Sequence, residues 1–306
     1  MTVSQRTRAI LVICLSAILP ITASPASRFD TPADIAQRKQ QALNQRLLDA
    51  CRRANQPDQA GNVERLLQQG ANPDKRDARG MTALMWAVRA SRPEIVDALI
   101  RYAADVDARD ASGETALMKT RHDEIARLLL RAGATTTPRD RRGDTALHHA
   151  VAGDAFGRRA ALVDALLRAG ADAGARNNAG ESVLISTVAN PALECPACLS
   201  ALLRHGARPN DADNRGRSPL MAAAASGGSK LFIGLLNAGA KPWSVDHDGN
   251  TALAYLARAP QRPARRMADI LLAIGARDAF IHQARAEAKA RGNTALASLL
   301  DSAAAP

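Results

Sequence analysis

An all-α solenoid of stacked helix-turn-helix units is the fold class this sequence predicts, and three observations carry it. Six short segments repeat one pattern along the 306 residues: GMTALMWA (80–87), GETALMKT (113–120), GDTALHHA (143–150), GESVLIST (180–187), GRSPLMAA (216–223) and GNTALAYL (249–256). Their glycines fall 33, 30, 37, 36 and 33 residues apart, the period of a repeat array. Each segment is followed by an amphipathic run that ends, in every unit but one, in Gly-Ala.

The letters of one unit justify its elements in chain order. Asp-x-x-Gly (Asp77 to Gly80, Asp110 to Gly113, Asp140 to Gly143) predicts a tight turn. The Thr or Ser that follows predicts the N-cap of an inner helix, where a hydroxyl accepts from an orphan backbone N–H. Pro219, just after Ser218, fits the first helical position, where its missing donor costs nothing. The outer helix shows apolar residues at helical spacing, as in Ile95, Val96, Leu99 and Ile100, or Leu231, Phe232, Leu235 and Leu236. Gly70, Gly133, Gly170, Gly206, Gly239 and Gly275 then supply the left-handed residue that stops it. Ala103 stands at that place in one unit, where a left-handed backbone costs about 1 kcal/mol. Two short helices cannot bury an apolar face alone, so neighbours must stack.

These segments resemble the ankyrin repeat family, whose units run close to D-x-x-G-x-T-P-L-H-x-A. The likeness covers roughly residues 43 to 279, about seven repeats, although the family Pro appears only as Pro219 and the family His only as His148. It implies an ankyrin-repeat solenoid with β-turn or hairpin fingers, no enzymatic activity, no cofactor, and another protein as partner. Both ends read as caps. Thr31-Pro32-Ala33-Asp34 opens an N-terminal cap helix over 32–54, and a final helical pair over 280–301 presents Gln283, Arg285, Glu287 and Lys289 as its polar face. The mature chain is expected to be an elongated monomer.

The first 26 residues predict export. Arg6 and Arg8 precede an apolar run from Ala9 to Leu19 that Pro20 ends, with small residues after it; cleavage is expected after Ala23 or Ala26. The run is shorter than the roughly 20 apolar residues of a membrane span, so no membrane insertion is expected after cleavage. The mature protein, residues 27–306, is expected in the periplasm or secreted, and a nucleic-acid partner is not expected there. Loss of Arg6 and Arg8, with no acid lost, takes the net charge from +11 to +9. A basic exported protein suits an acidic partner.

The stretch ECPACL holds Cys195 and Cys198, in an insertion between the helices of the fifth repeat. Helices pack about 8–10 Å apart, so four stacked units put Cys51, in the first unit, on the order of 40 Å away, beyond the roughly 7 Å between Cα atoms that a disulfide spans. Cys51 reads as a small buried apolar residue. Cys195 and Cys198 have only each other. A zinc site wants four ligands, and only His205 lies near. A thioredoxin-like pair needs a strand before it. A local disulfide in an oxidising compartment is the expectation, with a redox pair at a helix N-terminus as its rival.

Other chemistry is thin. His148 and His149 are adjacent and so point apart on a helix, and His122-Asp123-Glu124 lacks the second His of a zinc-protease helix. No metal site and no catalytic residue is expected. The turn tips carry the strongest binding pattern. Arg76, Arg109, Arg139 and Arg176 precede successive turns, while Arg79 and Arg142 sit beyond the turn Asp. Stacking aligns them into a basic stripe along the finger edge, suited to carboxylates; the bland alternative is that they are merely solvated. Because they flank the turns, no unit is expected to need them for packing. Insertions at 153–159, 190–198 and 260–265 mark a second variable edge, and the third repeat is shortened there. The resulting functional expectation is a scaffold or inhibitor in the cell envelope. Toxin immunity and peroxide defence are narrower versions of it, and thiol–disulfide exchange by Cys195 and Cys198 is the rival class.

Overall fold

The computed structural model describes residues 31–53, 58–153, 159–190, 194–259, 261–276 and 278–303, so the stretch expected to be an export leader and the middle of two insertions lie outside the described residues. Contacts divide the chain into Met1–Ala42 and Leu43–Pro306. In the first segment Thr31 and Asp34 cap each other. The Asp34 N–H donates to Thr31 Oγ1 at 3.1 Å, and the Thr31 N–H and hydroxyl donate to Asp34 Oδ2 at 3.0 and 2.8 Å. Those bonds open α1 (Pro32–Arg52) and hold the Asp34 carboxyl below its ordinary value. Beyond Leu43, α1 buries Leu47, Leu48 and Cys51.

Each repeat of the second segment is an inner helix, a turn and an outer helix. The outer helix α2 (Gln59–Gln68) comes first. Then follow the pairs α3 (Ala83–Arg89) with α4 (Pro93–Arg101), α5 (Ala116–Lys119) with α6 (Asp123–Arg131), and α7 (Ala146–Ala152) with α8 (Arg159–Arg168). The pairs α9 (Val183–Val188) with α10 (Pro196–Arg204), α11 (Pro219–Ser226) with α12 (Ser229–Asn237), and α13 (Ala252–Arg258) with α14 (Gln261–Gly275) continue the series. The pair α15 (Asp278–Ala290) and α16 (Thr294–Ala303) closes it. Inner helices pack on inner helices and outer on outer, from α3 against α5 through α13 against α15, and from α2 against α4 through α14 against α16. Each inner helix from α3 to α15 also packs on its own outer helix. One row of Ala, Leu, Met and Val is thereby buried along the series, with Phe232 the largest fully buried side chain among the described residues. This is the nearest-neighbour burial that a two-helix unit requires.

Local chemistry sets the ends of the elements. Thr82, Ser182, Ser218 and Thr251 are buried N-caps whose hydroxyls accept from the N–H three residues on, at 3.3–3.4 Å. Outer helices stop in left-handed residues. Gly70 (φ 87°) places its own N–H on Leu67 O and the Ala71 N–H on Leu66 O. Ala103 makes the same two bonds, to Ile100 O and Leu99 O, at φ 57°, so the left-handed strain expected there is present. The third inner helix α5 spans 4 residues against 7 in α3 and in α7. The seventh repeat departs from the expected loop at 260–265. Residues 261–265 begin the 15-residue α14, with Pro263 in the first turn, where a missing N–H is tolerated. The fingers are turns rather than strands, and Arg176 with Ser182 forms an isolated antiparallel bridge. Among the described residues no helix is long and apolar enough to cross a membrane.

Candidate functional site

The site is built on the turn aspartates. Asp77 Oδ1 accepts from the N–H of Arg79 at 2.8 Å and of Met81 at 2.9 Å, closing the turn. Asp110, Asp140, Asp213 and Asp246 repeat this pair of bonds. The second oxygen reaches the inner helix nine residues on. Asp77 Oδ2 accepts from Trp86 Nε1 at 3.0 Å, Asp110 Oδ2 pairs with Lys119 Nζ at 2.6 Å, Asp140 Oδ2 with His149 Nε2 at 3.0 Å, and Asp246 Oδ2 accepts from Tyr255 Oη at 2.8 Å. Each of these four aspartates thus orients one variable side chain on the inner-helix face, while Asp213 Oδ2 accepts from Arg217 Nε at 3.0 Å. Burial alone would raise these carboxyls, but at Asp110, Asp140 and Asp246 the backbone and side-chain donors outweigh it and hold them below their ordinary value. Burial and the Asp246 carboxylate push Tyr255 up to about 12. The sequence contains this signal as Asp77/Trp86, Asp110/Lys119, Asp140/His149 and Asp246/Tyr255, a constant offset hidden by the different letter at each second position.

The fingers stack through two ladders. In one, the N–H of Ala111, Arg141, Asn178, Asn214 and His247 donates to the carbonyl of Arg79, Ser112, Arg142, Ala179 and Arg215 in the preceding finger, at 2.9–3.1 Å. The approach is close enough that a Cβ at Gly80 would stand 2.8 Å from Ala111 N, and one at Gly143 2.7 Å from Asn178 N. The other ladder corrects the expectation that the finger arginines are free of packing duties. The Arg76 guanidinium donates to Arg109 O, Arg109 to Arg139 O, Arg139 to Arg176 O, and Arg176 to Ala212 O. The physical reason is the stacking itself, which leaves each finger carbonyl within reach of the preceding guanidinium and otherwise without a ladder partner. Arg109 adds a bond from Nε to Gly113 O at 3.2 Å, and Arg139 one to Gly143 O at 3.4 Å. Arg76, Arg109 and Arg139 nonetheless stay exposed, so their charge faces solvent in a fixed geometry. Arg79 and Arg142 are also exposed; Arg142 Nε lies 3.3 Å from Asp144 Oδ2, and the Arg79 side chain has no ion pair or hydrogen bond among the described residues.

Behind the fingers, the short α5 leaves a notch between α3 and α7. A cavity of about 490 Å³ opens there, lined by Arg89, Glu114, Lys119, Arg121, Arg142 and His149 among others. Glu114, Asp140 and His149 bring their ligand-type atoms within 4.8 Å of one another. The Lys119 ammonium lies 2.6 Å from Asp110 and 2.5 Å from Glu114, and the His149 ring bonds Asp140, so protein side chains already occupy this acidic group. Nearby, His148 is buried and bridges two repeats. Its Nε2 lies 3.3 Å from Glu181 O, while Nδ1 is 3.0 Å from Thr145 Oγ1. Burial lowers its pKa, with the Arg139 charge acting in the same direction and Asp144 against it. The sequence-level reading of His148 as a structural residue fits this position.

Cys195 caps α10, its Sγ accepting from the Cys198 N–H at 3.1 Å, and Pro196 is the first helical residue. The two Cα atoms stand 5.2 Å apart with the sulfurs at bonding distance, 2.04 Å. Cys198 is fully buried and Cys195 partly. The loop is tied onward as well: Glu194 Oε1 accepts from the Lys230 N–H at 3.0 Å, in the next repeat. Cys51 is free and buried, and burial pushes its thiol up to about 12.

The sequence profile of the family described as ankyrin repeats (3 copies) matches residues 47–140 and 154–246. Among solved structures, the ankyrin repeat domain of Bcl-3, a member of the IkappaB protein family, is 30% identical with a TM-score of 0.59, covering 74% of this chain and 97% of its own. An ankyrin repeat domain from Acinetobacter baumannii AYE is likewise 30% identical, with a TM-score of 0.55, covering 64% of this chain and 98% of its own. No curated protein matches the sequence significantly.

Proposed function

Because the chain belongs to the ankyrin repeat family, whose repeats are protein–protein interaction modules, we propose that it is a non-enzymatic scaffold or inhibitor that grips an acidic protein partner in the cell envelope. The observation that carries the reading is the guanidinium ladder. Four arginines from four repeats are pinned along one edge by neighbouring carbonyls while three of them stay exposed. A planar guanidinium held in place loses less side-chain entropy when it meets a carboxylate. The envelope location rests on the leader-like first 26 residues, and the acidic partner on the net charge of +9 that remains once Arg6 and Arg8 are removed from +11. Toxin immunity and peroxide defence both fit within this reading, and gene neighbourhood separates them. The burial of Cys198 and the capping role of Cys195 support a loop staple over a redox pair.

The test is capture from a periplasmic extract with the purified mature chain, elution by salt, and identification of the bound protein. The Arg79→Glu/Arg142→Glu variant should associate more slowly with the captured partner, with weaker salt dependence. Its melting temperature should hold, because surface changes stay within about 0.5 kcal/mol. A partner bound as tightly by this variant as by wild type at low salt overturns the finger-edge assignment.

A further inference from the structure

The shortened third repeat removes material from the middle of the inner-helix face. Its turn glycines stand 30 residues apart where the preceding pair stands 33 apart, and α5 is three residues shorter than its neighbours. The cavity of about 490 Å³ lies at this shortened end, where Met118, Lys119, Thr120 and Arg121 line it. Its size falls within the roughly 300–1,000 Å³ of ordinary ligand sites, enough for one or two residues of a peptide.

The lining is basic: Arg89, Lys119, Arg121 and Arg142 face one carboxylate, Glu114. Three polar groups already have partners. Lys119 lies between Asp110 and Glu114, His149 bonds Asp140, and Arg142 lies against Asp144. Two cations are left. Arg89 stands 5.4 Å over the Trp86 ring, and the Arg121 head lies beside Gly153, so that a Cβ there would meet Nη1 at 3.2 Å. Neither has a carboxylate within ion-pair distance among the described residues. They approach the notch from the second repeat and from the third, where Arg121 reaches Gly153, as two guanidiniums without a carboxylate around one recess.

We propose that this notch anchors an acidic segment of the partner protein, one carboxylate of which enters between Arg89 and Arg121. The proposal rests on the reading that the partner is an acidic protein, and it names the place where that partner is held. Arg89 sits at the C-terminal end of α3, whose negative helix end already favours a cation there; an incoming carboxylate gains from a charge that the fold keeps in position.

The probe is a fluorescein-labelled hexaglutamate peptide, followed by polarisation at low salt with the purified chain. Binding should be salt-sensitive, and Arg89→Glu/Arg121→Glu should weaken it about tenfold or more, a difference carried by close charge pairs rather than by net charge. The Arg131→Glu/Arg204→Glu variant makes the same change in net charge on the exposed outer helices α6 and α10, and should weaken binding much less. Inserting three alanines after Lys119 refills the notch while keeping both arginines, and should also weaken it. Circular dichroism identical to wild type qualifies each variant. Equal losses in the two arginine doubles, full binding by the insertion variant, or no peptide binding at all overturns the notch. So does displacement by inorganic phosphate but not by acetate, which would assign the recess to phosphoryl groups. Where one of these overturning outcomes occurs while the envelope partner is still captured and finger-edge variants weaken its capture, the notch alone fails and the acidic-partner reading stands.

Discussion

Replacing Arg109 by Gln separates a load on the fold from a load on binding. Arg109 donates from Nη2 to Arg139 O in the next finger and from Nε to Gly113 O in its own. Both bonds lie at an exposed residue, so water replaces part of what is lost, and each takes the lower half of the usual net range of about 0.5–1.5 kcal/mol. Arg109→Gln should therefore cost about 1–2 kcal/mol, concentrated at the junction of the third and fourth repeats. With a urea slope of about 2–3 kcal/mol/M, the midpoint should fall by roughly 0.5 M. Arg79→Gln is the internal control, because Arg79 serves the other ladder through its backbone carbonyl and not its side chain. It should shift the midpoint by less than about 0.2 M on the same scale. Hydrogen exchange should show faster opening of the Arg141 N–H in the first variant only, since that donor lies in the junction being loosened. Equal midpoints for the two variants would refute the idea that the guanidiniums carry inter-repeat stability.

Three further outcomes follow from named groups. His148 is buried with its pKa below the ordinary 6.5, so the unfolded chain binds a proton that the folded one refuses; stability should be full above about pH 7 and fall as the pH drops below it. Urea midpoints for wild type and for His148→Met, the residue found at this place as Met85 and Met118, should show that slope only in wild type, because the depressed Asp110, Asp140 and Asp246 carboxyls lose their contribution only below about pH 4. Ala103→Gly relieves about 1–2 kcal/mol of left-handed strain and adds about 0.5–1 of unfolded-chain entropy, so a net gain near 0.5–1 kcal/mol should appear in thermal melts. Thiol trapping of protein isolated without added reductant should find Cys195 and Cys198 blocked by each other, and Cys51 alkylated only after denaturation, since burial raises its thiol to about 12.

The helical series was legible because it is written in local letters. The Asp, Gly, Thr and Ala-Leu positions each state a turn, a cap or a buried face within about ten residues, and backbone chemistry of that range does not depend on the neighbouring repeat. Even the strain at Ala103 could be read, since the same position is Gly elsewhere. What lay beyond reading were contacts between repeats. Arg76 and Arg109 stand 33 residues apart, and nothing at either position says that a guanidinium will find the next carbonyl; the letters show charge at a turn, which usually means solvent. The seventh-repeat insertion was misread for a related reason, because Pro263 looks like a loop residue until the helix is seen to begin two residues before it.

The notch shows why a missing segment is harder to interpret than a present one. A deletion of three residues is visible as a spacing of 30, but its consequence depends on whether neighbours relax into the gap. Here they do not, because α3 and α7 are each held at full length by their own caps and by the turn aspartates Asp77 and Asp140, which fix Trp86 and His149 on either side. The Thr120 hydroxyl accepts from the His122 N–H at 3.3 Å and closes the shortened end, so α5 stops without borrowing a turn from α6. A recess that is kept open by bonds on three sides has a definite shape before any ligand arrives. That preorganisation makes two arginines without a carboxylate at its rim more consequential than the larger number of arginines spread over the rest of the surface.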